Sequence, residues 1–457
     1  MKTELQMMKD MQVYRVTKLL EGHKAIGCRW VLEFKEDNKG GSVYKAHLVA
    51  QGFSQVPGVA YGATFAPIIK PTSVRLLVTL ANRHDWEMDM FDAKRAFLWG
   101  VLIYMPQLKG FEDGDWHEVI WLMLCMIYGL KQSALEWYEQ VCTVMADLGF
   151  VQSESDHALF YFDRLDKVVD QVRTHCLIGW HVDDGMAASN SRPFLEWVKK
   201  WIAECFGIKD LGPVVKYLGV QFKCDCSAQW IWMHQSKYIS FLLQEYGLTD
   251  CNPVRLPADP KAPLGDSMGS YPDVSDLHHT YLKLVGKLIY LAVNTRPDIS
   301  YIVNALAQHN ARPEPHHFAA AKWVLCYLAR TIGLRLLFTC DGNDGGLHAY
   351  ADASWANEVS RHSVTSYTWY YAGCLISHVS KKQVTVTLSS TKAKYMAATH
   401  VVQEELWLWS LLAELNMPFS IPVPVYLDNS GAIALFSVAK FHQCSKHIDT
   451  HYVSFHL

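Results

Sequence analysis

Three aspartates are the residues whose types and spacing could do chemistry. Asp183-Asp184-Gly185 closes an almost wholly apolar run, His175-Cys-Leu-Ile-Gly-Trp-His-Val182, and Phe91-Asp92 closes another apolar stretch well upstream. Taken alone, Asp-Gly is among the strongest signals for a two-residue hairpin turn, and for 183–185 that reading is the simpler one. A second strand that ends in a carboxylate, followed by Ala96-Phe97, argues for more, because converging strand ends would bring three carboxylates together. Like charges repel at close range unless a divalent cation neutralises them, and Mg²⁺ takes a few carboxylates together with substrate phosphates. Two-metal phosphoryl transfer is the chemistry such an arrangement serves.

The elements that must position these residues belong to a multi-domain chain. Its 457 residues, half of them apolar, exceed one core and suffice for about three at ~150 residues each. With 42 Lys and Arg against 45 Asp and Glu the net charge is −3, so whole-chain charge gives no support for a nucleic-acid partner. Positive charge is local instead: up to Arg75 there are 11 Lys and Arg against 6 Asp and Glu. The longest apolar run, Val119 to Leu130, holds 12 residues where a membrane span needs ~20. The start after Met1 lacks a signal peptide's apolar core. We therefore expect no membrane partner and an intracellular protein, with cytoplasm or nucleus left open. Twelve scattered cysteines make neither a disulfide framework nor a zinc ligand set and read as reduced, mostly buried thiols. His278-His279 and His316-His317 lack ligand spacing, since neighbours on a helix point apart, and read as cap or surface residues.

Along the chain, Ala25 to Phe34 is strand-like and Thr72 to Asn82 helical. Trp86 to Phe91 leads to Asp92, and a helical run then passes Trp137 and Met145. Five prolines between Pro253 and Pro272, with Gly265 and Gly269, predict an exposed linker. A helical block follows from His279 to Ile332. Gly342 to Gly346 then opens an αβ segment, in which Val384, Val386 and Leu388 alternate as a half-buried strand would.

Phe91-Asp-Ala-Lys-Arg-Ala-Phe-Leu-Trp-Gly100, Tyr128-Gly-Leu-Lys-Gln-Ser133 and His181-Val-Asp-Asp184 resemble, in order and spacing, the motifs of copia-type retrotransposon reverse transcriptases. Lys45-Ala-His-Leu-Val-Ala-Gln-Gly-Phe-Ser54, Lys209-Asp-Leu-Gly212, Tyr217-Leu-Gly219 and Thr295-Arg-Pro-Asp-Ile299 extend the likeness over nearly the whole chain. Each motif is modest, but seven in one order leave little room for coincidence. The resemblance implies an α+β fold: a right-hand polymerase of fingers, palm and thumb, followed by an α/β RNase H-like domain. Fingers and palm would occupy 1–250, linker, thumb and connection 251–341, and the RNase H-like domain 342–457.

It further implies that Asp92, Asp183 and Asp184 are catalytic, with Asp92 and Asp183 holding Mg²⁺ (or Mn²⁺). Phe97 matches the aromatic that screens against a 2′-hydroxyl, because a ring beneath the sugar leaves no room for the extra oxygen. An ordinary core Phe is the alternative. Lys131, Gln132 and Lys45 match nucleotide- and template-binding positions, although a solvated helix start would also explain 131–132. Tyr217, Leu218 and Gly219 resemble the primer grip, with a plain β-turn as alternative. Expected partners are an RNA template, a DNA primer and dNTPs; the oligomeric state stays open. Family members are made within a longer polyprotein, and whether capsid, protease and integrase are encoded beside this chain its residues leave open.

The ribonuclease H part of the resemblance rests on His348-Ala-Tyr-Ala-Asp352, Lys381 to Thr391, Tyr426-Leu-Asp-Asn-Ser430 and Lys446-His-Ile-Asp449. It implies Asp352, Asp428 and Asp449 as remnants of a metal site, with three surface aspartates as the plain alternative. Here Lys394 occupies the family's catalytic Glu position. An ammonium there removes a ligand and repels the cation, by several kcal/mol at ~4 Å and an effective dielectric of ~20. Glu405 lies on roughly the same helix face but ~16 Å away, too far to substitute. The polymerase half departs more gently. His181 stands where Tyr is usual, His47, Gln51 and Leu135 where basic residues are usual, and Trp121, Met123 and Cys125 form an apolar run where Lys and Arg are interspersed. Phosphate-facing charge supplies much nucleic-acid affinity, so these changes predict several lost contacts. Two readings follow: a Mg²⁺-dependent nucleotidyltransferase that copies RNA into DNA beside an inactive RNase H-like domain, or a catalytically dead remnant that at most binds nucleic acid.

Overall fold

The computed structural model describes residues 1–10, 12–21, 23–36, 42–56, 58, 61–93, 103–108, 110–112, 119–124, 127–165, 173–225, 227–262, 264–265, 275–340, 346–356, 361–417, 419 and 422–437. The fold is mixed α/β, and it is organised around a six-stranded antiparallel sheet in the spatial order Ile208–Pro213, Glu87–Ala93, Asp184–Ser189, Arg173–His181, Leu159–Leu165, Val151–Gln152. Strand alternation sorts its side chains onto two faces. Phe91, Ile178, Phe160 and Ala187 meet the helices Ser133–Asp147 and Arg192–Phe206. Met88, Met90, Leu177, Met186 and Ala188 face the helix Pro71–Arg83.

That last helix is buried nearly all round, from Ser73 through Asn82. A helix apolar on every side needs a second layer, and the C-terminal sheet supplies it in the order Cys374–Lys382, Val364–Tyr371, Leu347–Ser354, Val425–Leu427. The result is one continuous core from Ile69 through Trp369 to Leu412. Arg75 ties the layers. Its guanidinium donates to the carbonyls of Ile376 (3.2 Å), Asn294 (3.2 Å) and Val293. The last two end the helix Ser275–Asn294, so a buried cation caps that helix's negative end. Burial pushes the Arg75 pKa down to about 10.

The N-terminal part holds a three-stranded sheet (Tyr14–Thr17, Ile120–Met123, Ile103–Met105) and the hairpin Cys28–Glu36/Ser42–Ala50. Helices Ser236–Glu245, Ser275–Asn294, Ser300–Ala307 and Pro315–Arg330 share a separate core around Leu242, Leu288 and Leu325.

Three expectations change. The 383–389 stretch is not a strand, because the ladder ends at Lys382. Val384, Val386 and Leu388 are exposed, whereas Gln383 and Thr387 turn inward, Gln383 donating to Thr365 and Ala393. The proline-rich linker lies at the surface over its described residues 251–262 and 264–265, none of them buried, and is strapped to the helix Pro315–Arg330. Trp323 donates to the Leu256 carbonyl (2.9 Å), and His316 and His317 contact the carbonyls of Gly265 and Leu264. Trp121 and Met123 are fully buried in the N-terminal core, so they belong to packing and carry no message about phosphate contacts. Among the described cysteines, all free, only Cys176 and Cys374 are fully buried. His317 does act as a cap: its Nδ1 accepts from the Glu314 backbone N–H, 3.0 Å away. No helix among the described residues is long and apolar enough to cross a membrane.

Replacing Arg75 by Met keeps much of the volume but strands buried carbonyls at the junction of three elements. We expect a loss of about 3 kcal/mol in unfolding free energy, measured by urea denaturation.

Candidate active site

Along Glu87–Ala93 the residues Asp89, Phe91 and Ala93 point inward on one face, which leaves Asp92 half-buried on the other at the strand's end. The neighbouring strand runs antiparallel in the register Asp184↔Asp92 and Gly185↔Phe91. A Cβ at position 185 would fall 2.2 Å from the Phe91 ring. Gly185 is thus required by packing inside a strand, and the hairpin turn proper is Val182-Asp183, because His181 pairs with Asp184. Directly opposed residues hold their Cβ atoms ~5 Å apart, and like charges there are unfavourable. Asp92 and Asp184 therefore form a carboxylate pair suited to a hard divalent cation, with Asp183 adjacent on the turn. Among the described residues no group of three or more His, Cys, Asp or Glu closes to metal-holding distance. Asp183 is turned towards Tyr128, whose hydroxyl donates to its Oδ2 at 3.3 Å.

The turn is held from outside. The Trp137 indole Nε1 donates to the Val182 carbonyl (2.6 Å), the Ala93 N–H to that of Asp183 (2.9 Å), and the Tyr217 hydroxyl to that of Asp184 (3.4 Å). Burial, then the nearby carboxylates, raises the Tyr128 and Tyr217 pKa values, so both stay protonated donors. Sequence reasoning missed Trp137 and Tyr128 as site residues. Tyr128 stood inside a quoted motif and Trp137 inside a helical pattern, but nothing local aims either at the turn. Burial also lowers the His181 pKa, and its Nδ1 finds no hydrogen-bond partner among the described residues.

Around this centre, Lys131 is exposed, with Nζ 3.0 Å from the Tyr61 hydroxyl and its backbone N–H bound to Gln55. Gln132 is buried and accepts from Gln55 Nε2 at 3.0 Å, bracing the 51–55 turn rather than standing in solvent. His47 lies 3.2 Å from Glu4 Oε1 and against the Tyr128 ring. Tyr217-Leu218-Gly219 forms a tight hairpin, Tyr217 pairing with Val220. Leu218 (φ +47°) and Gly219 (φ +78°) are both left-handed, as a type I′ turn demands, and Tyr290 donates to the Leu218 carbonyl at 2.5 Å. Lys45 lies on Ser42–Ala50, but its side chain falls outside the described residues, as do Phe97 and Asp449.

A second acidic pair sits on the C-terminal sheet. Asp352 lies on Leu347–Ser354 and Asp428 just beyond Val425–Leu427, its parallel neighbour. Lys394, in the first turns of Ser390–Glu414, places Nζ 3.1 Å from Asp352 and in contact with Asp428. Burial works against its charge, yet the two carboxylates outweigh it and raise the Lys394 pKa. The same bond lowers that of Asp428.

A family model described as "Reverse transcriptase (RNA-dependent DNA polymerase)" matches residues 11–260. The chain is 32% identical over 99% of its length to the "Retrovirus-related Pol polyprotein from transposon TNT 1-94" of Nicotiana tabacum, covering 34% of that protein. It is 36% identical over 94% of its length to the corresponding polyprotein from transposon RE2 of Arabidopsis thaliana, covering 29% of it. It thus spans about a third of the length of these relatives. Among solved structures, a foamy viral protease-reverse transcriptase in complex with double-stranded DNA aligns at TM-score 0.51 and 12% identity, over 96% of this chain and 64% of that one. At that identity the likeness speaks for the fold.

Lys394→Met should cost less than about 1 kcal/mol at neutral pH, because both aspartates are largely exposed. The lowered Asp428 pKa makes the pair's contribution vanish as pH falls through that depressed value. The raised Lys394 pKa makes it vanish again as pH rises through the elevated one. Urea unfolding of wild type and variant across pH should show a difference only between those limits.

Proposed function

Because the chain belongs to the reverse transcriptase (RNA-dependent DNA polymerase) family, as a copia-type member, we propose that it extends a DNA primer on an RNA template by two-metal nucleotidyl transfer. The observation that carries this reading is the Asp184↔Asp92 register with Asp183 on the adjoining turn. In this reading the central sheet is the palm, the N-terminal sheet and hairpin the fingers, the helices after residue 251 the thumb and connection, and 342–457 an RNase H-like domain.

Asp92 and Asp183 would hold the ions, Mg²⁺ or Mn²⁺, with Asp184 assisting; when bound, these would activate the primer 3′-hydroxyl and neutralise charge on the transferring phosphate. The chain's own residues do the rest. Asp92 and Asp184 are fixed opposite each other by the ladder. Lys131 offers an ammonium to phosphates beside Tyr61. Tyr217-Leu218-Gly219, anchored by Tyr290, presents a rigid turn to the primer. Phe97 screens the sugar and Lys45 assists template binding.

At the second acidic pair, Lys394 takes the place a cation would need, so this domain cleaves no RNA:DNA hybrid. Its ammonium answers the charge of Asp352 and Asp428 and leaves no vacancy for Mg²⁺.

Purified protein should extend a DNA primer on an RNA template in Mg²⁺ or Mn²⁺, and Asp183→Asn should abolish the extension; wild type with no extension in either metal sinks the reading. In chelator, Asp184→Asn should raise stability by about 0.5–1 kcal/mol by removing the opposed charge, while Mg²⁺ should stabilise wild type and not the variant. Hybrid cleavage should be undetectable, and Lys394→Glu should create Mg²⁺-dependent stabilisation. Robust cleavage by the unaltered chain would refute the role given to Lys394.

A further inference from the structure

The Val182-Asp183 turn carries a conformational cost that its own residues do not explain. His181 and Asp184 close a two-residue hairpin, and φ is positive at Val182 (+57°) but not at Asp183. That is the pattern of a type II′ turn, whose first central position favours glycine. A β-branched residue is disfavoured there and persists only when its surroundings hold it.

What holds it is the 2.6 Å bond from the Trp137 indole to the Val182 carbonyl, the shortest of the three that fix this turn. The indole cannot follow a drifting carbonyl. Trp137 is buried, edge-on to Phe206 (4.6 Å, 64°) and to Trp180 (6.2 Å, 79°), on the helix Ser133–Asp147 that packs beneath the sheet.

We propose that Trp137 is a positioning residue: its indole N–H locks Val182 in the left-handed conformation and thereby sets Asp183 beside the ladder-fixed Asp184–Asp92 pair. The assignment rests on the polymerase reading above. Trp137 acts through the Val182 carbonyl, and of the three donors to this turn it is the one that bonds the strained residue itself. Without it, the turn relaxes towards a conformation valine prefers, and the Asp183 carboxylate on the turn loses its setting while keeping its charge.

The test is a double-mutant cycle of Trp137→Phe and Val182→Gly, read as Mn²⁺ affinity by electron paramagnetic resonance of the free ion and as steady-state primer extension. Trp137→Phe keeps a buried ring and removes the donor. It should weaken Mn²⁺ binding and lower kcat by about tenfold or more, with KM for primer–template unchanged. Glycine holds a positive φ unaided, so the double variant should recover most of both losses. A purely structural role for Trp137 would give no such rescue. Should Trp137→Phe fail to fold, benzothienylalanine at position 137, an isostere with sulfur in place of N–H, takes its place in the cycle. The proposal is overturned if the donorless variants bind Mn²⁺ and turn over as wild type does, or if Val182→Gly restores neither. If wild type extends no primer, the polymerase reading falls, and the Mn²⁺ arm alone decides on Trp137. Wild type that binds no Mn²⁺ overturns both.

Discussion

Two carboxylates facing each other across an antiparallel ladder are the constraint around which this molecule is arranged. Asp92 and Asp184 cannot move apart without breaking the central sheet, since their backbones are register partners. The same strand shows how the fold treats an aspartate meant only for structure. Asp89, fully buried on the opposite face, lies 2.5 Å from Lys199 and 2.9 Å from Arg192, so its charge is answered by the protein itself. A buried carboxylate with two cations is an internally closed arrangement. Asp92, three residues on, instead faces a like charge, Asp184, across the ladder.

The second acidic pair meets the same electrostatic requirement in another way. Asp352 and Asp428 are brought together by parallel neighbouring strands, and a lysine from the adjoining helix neutralises them. One chain thus holds two strand-end carboxylate pairs, and at the second an ammonium stands between the two aspartates. Lysine and glutamate have similar intrinsic helix propensity, so the backbone frame does not depend on which of them stands at position 394.

The two pairs do not sit on independent globules. The Pro71–Arg83 helix is sandwiched between the sheets that carry them, and Arg75 bonds to carbonyls of both the helical region and the C-terminal sheet. Tertiary bonds continue this seam elsewhere: Glu414 accepts from Ser153 and Ser155, and Trp407 donates to the Ser155 carbonyl. A core this continuous makes the C-terminal sheet part of the frame that supports the central one.

Sequence by itself determined the family and where Asp92, Asp183, Asp184 and Lys394 stand in its motifs, because motif order and residue type are local properties of the chain. It also supplied the helices from Thr72 to Asn82, past Trp137 and from His279 onward, whose apolar periodicity survives in the folded elements, but not Lys2–Asp10, Arg192–Phe206 or Ser236–Glu245. It misplaced the turn at 183–185, since Asp-Gly chemistry says nothing about Phe91 lying over Gly185. It misread Val384 to Leu388, because an alternating pattern does not say which face meets the core. It could not give the Asp184↔Asp92 register, the Trp137 and Tyr128 contacts to the turn, or the burial of Arg75. Each joins residues tens to hundreds of positions apart, and only the packing of separate elements brings such partners within hydrogen-bond reach.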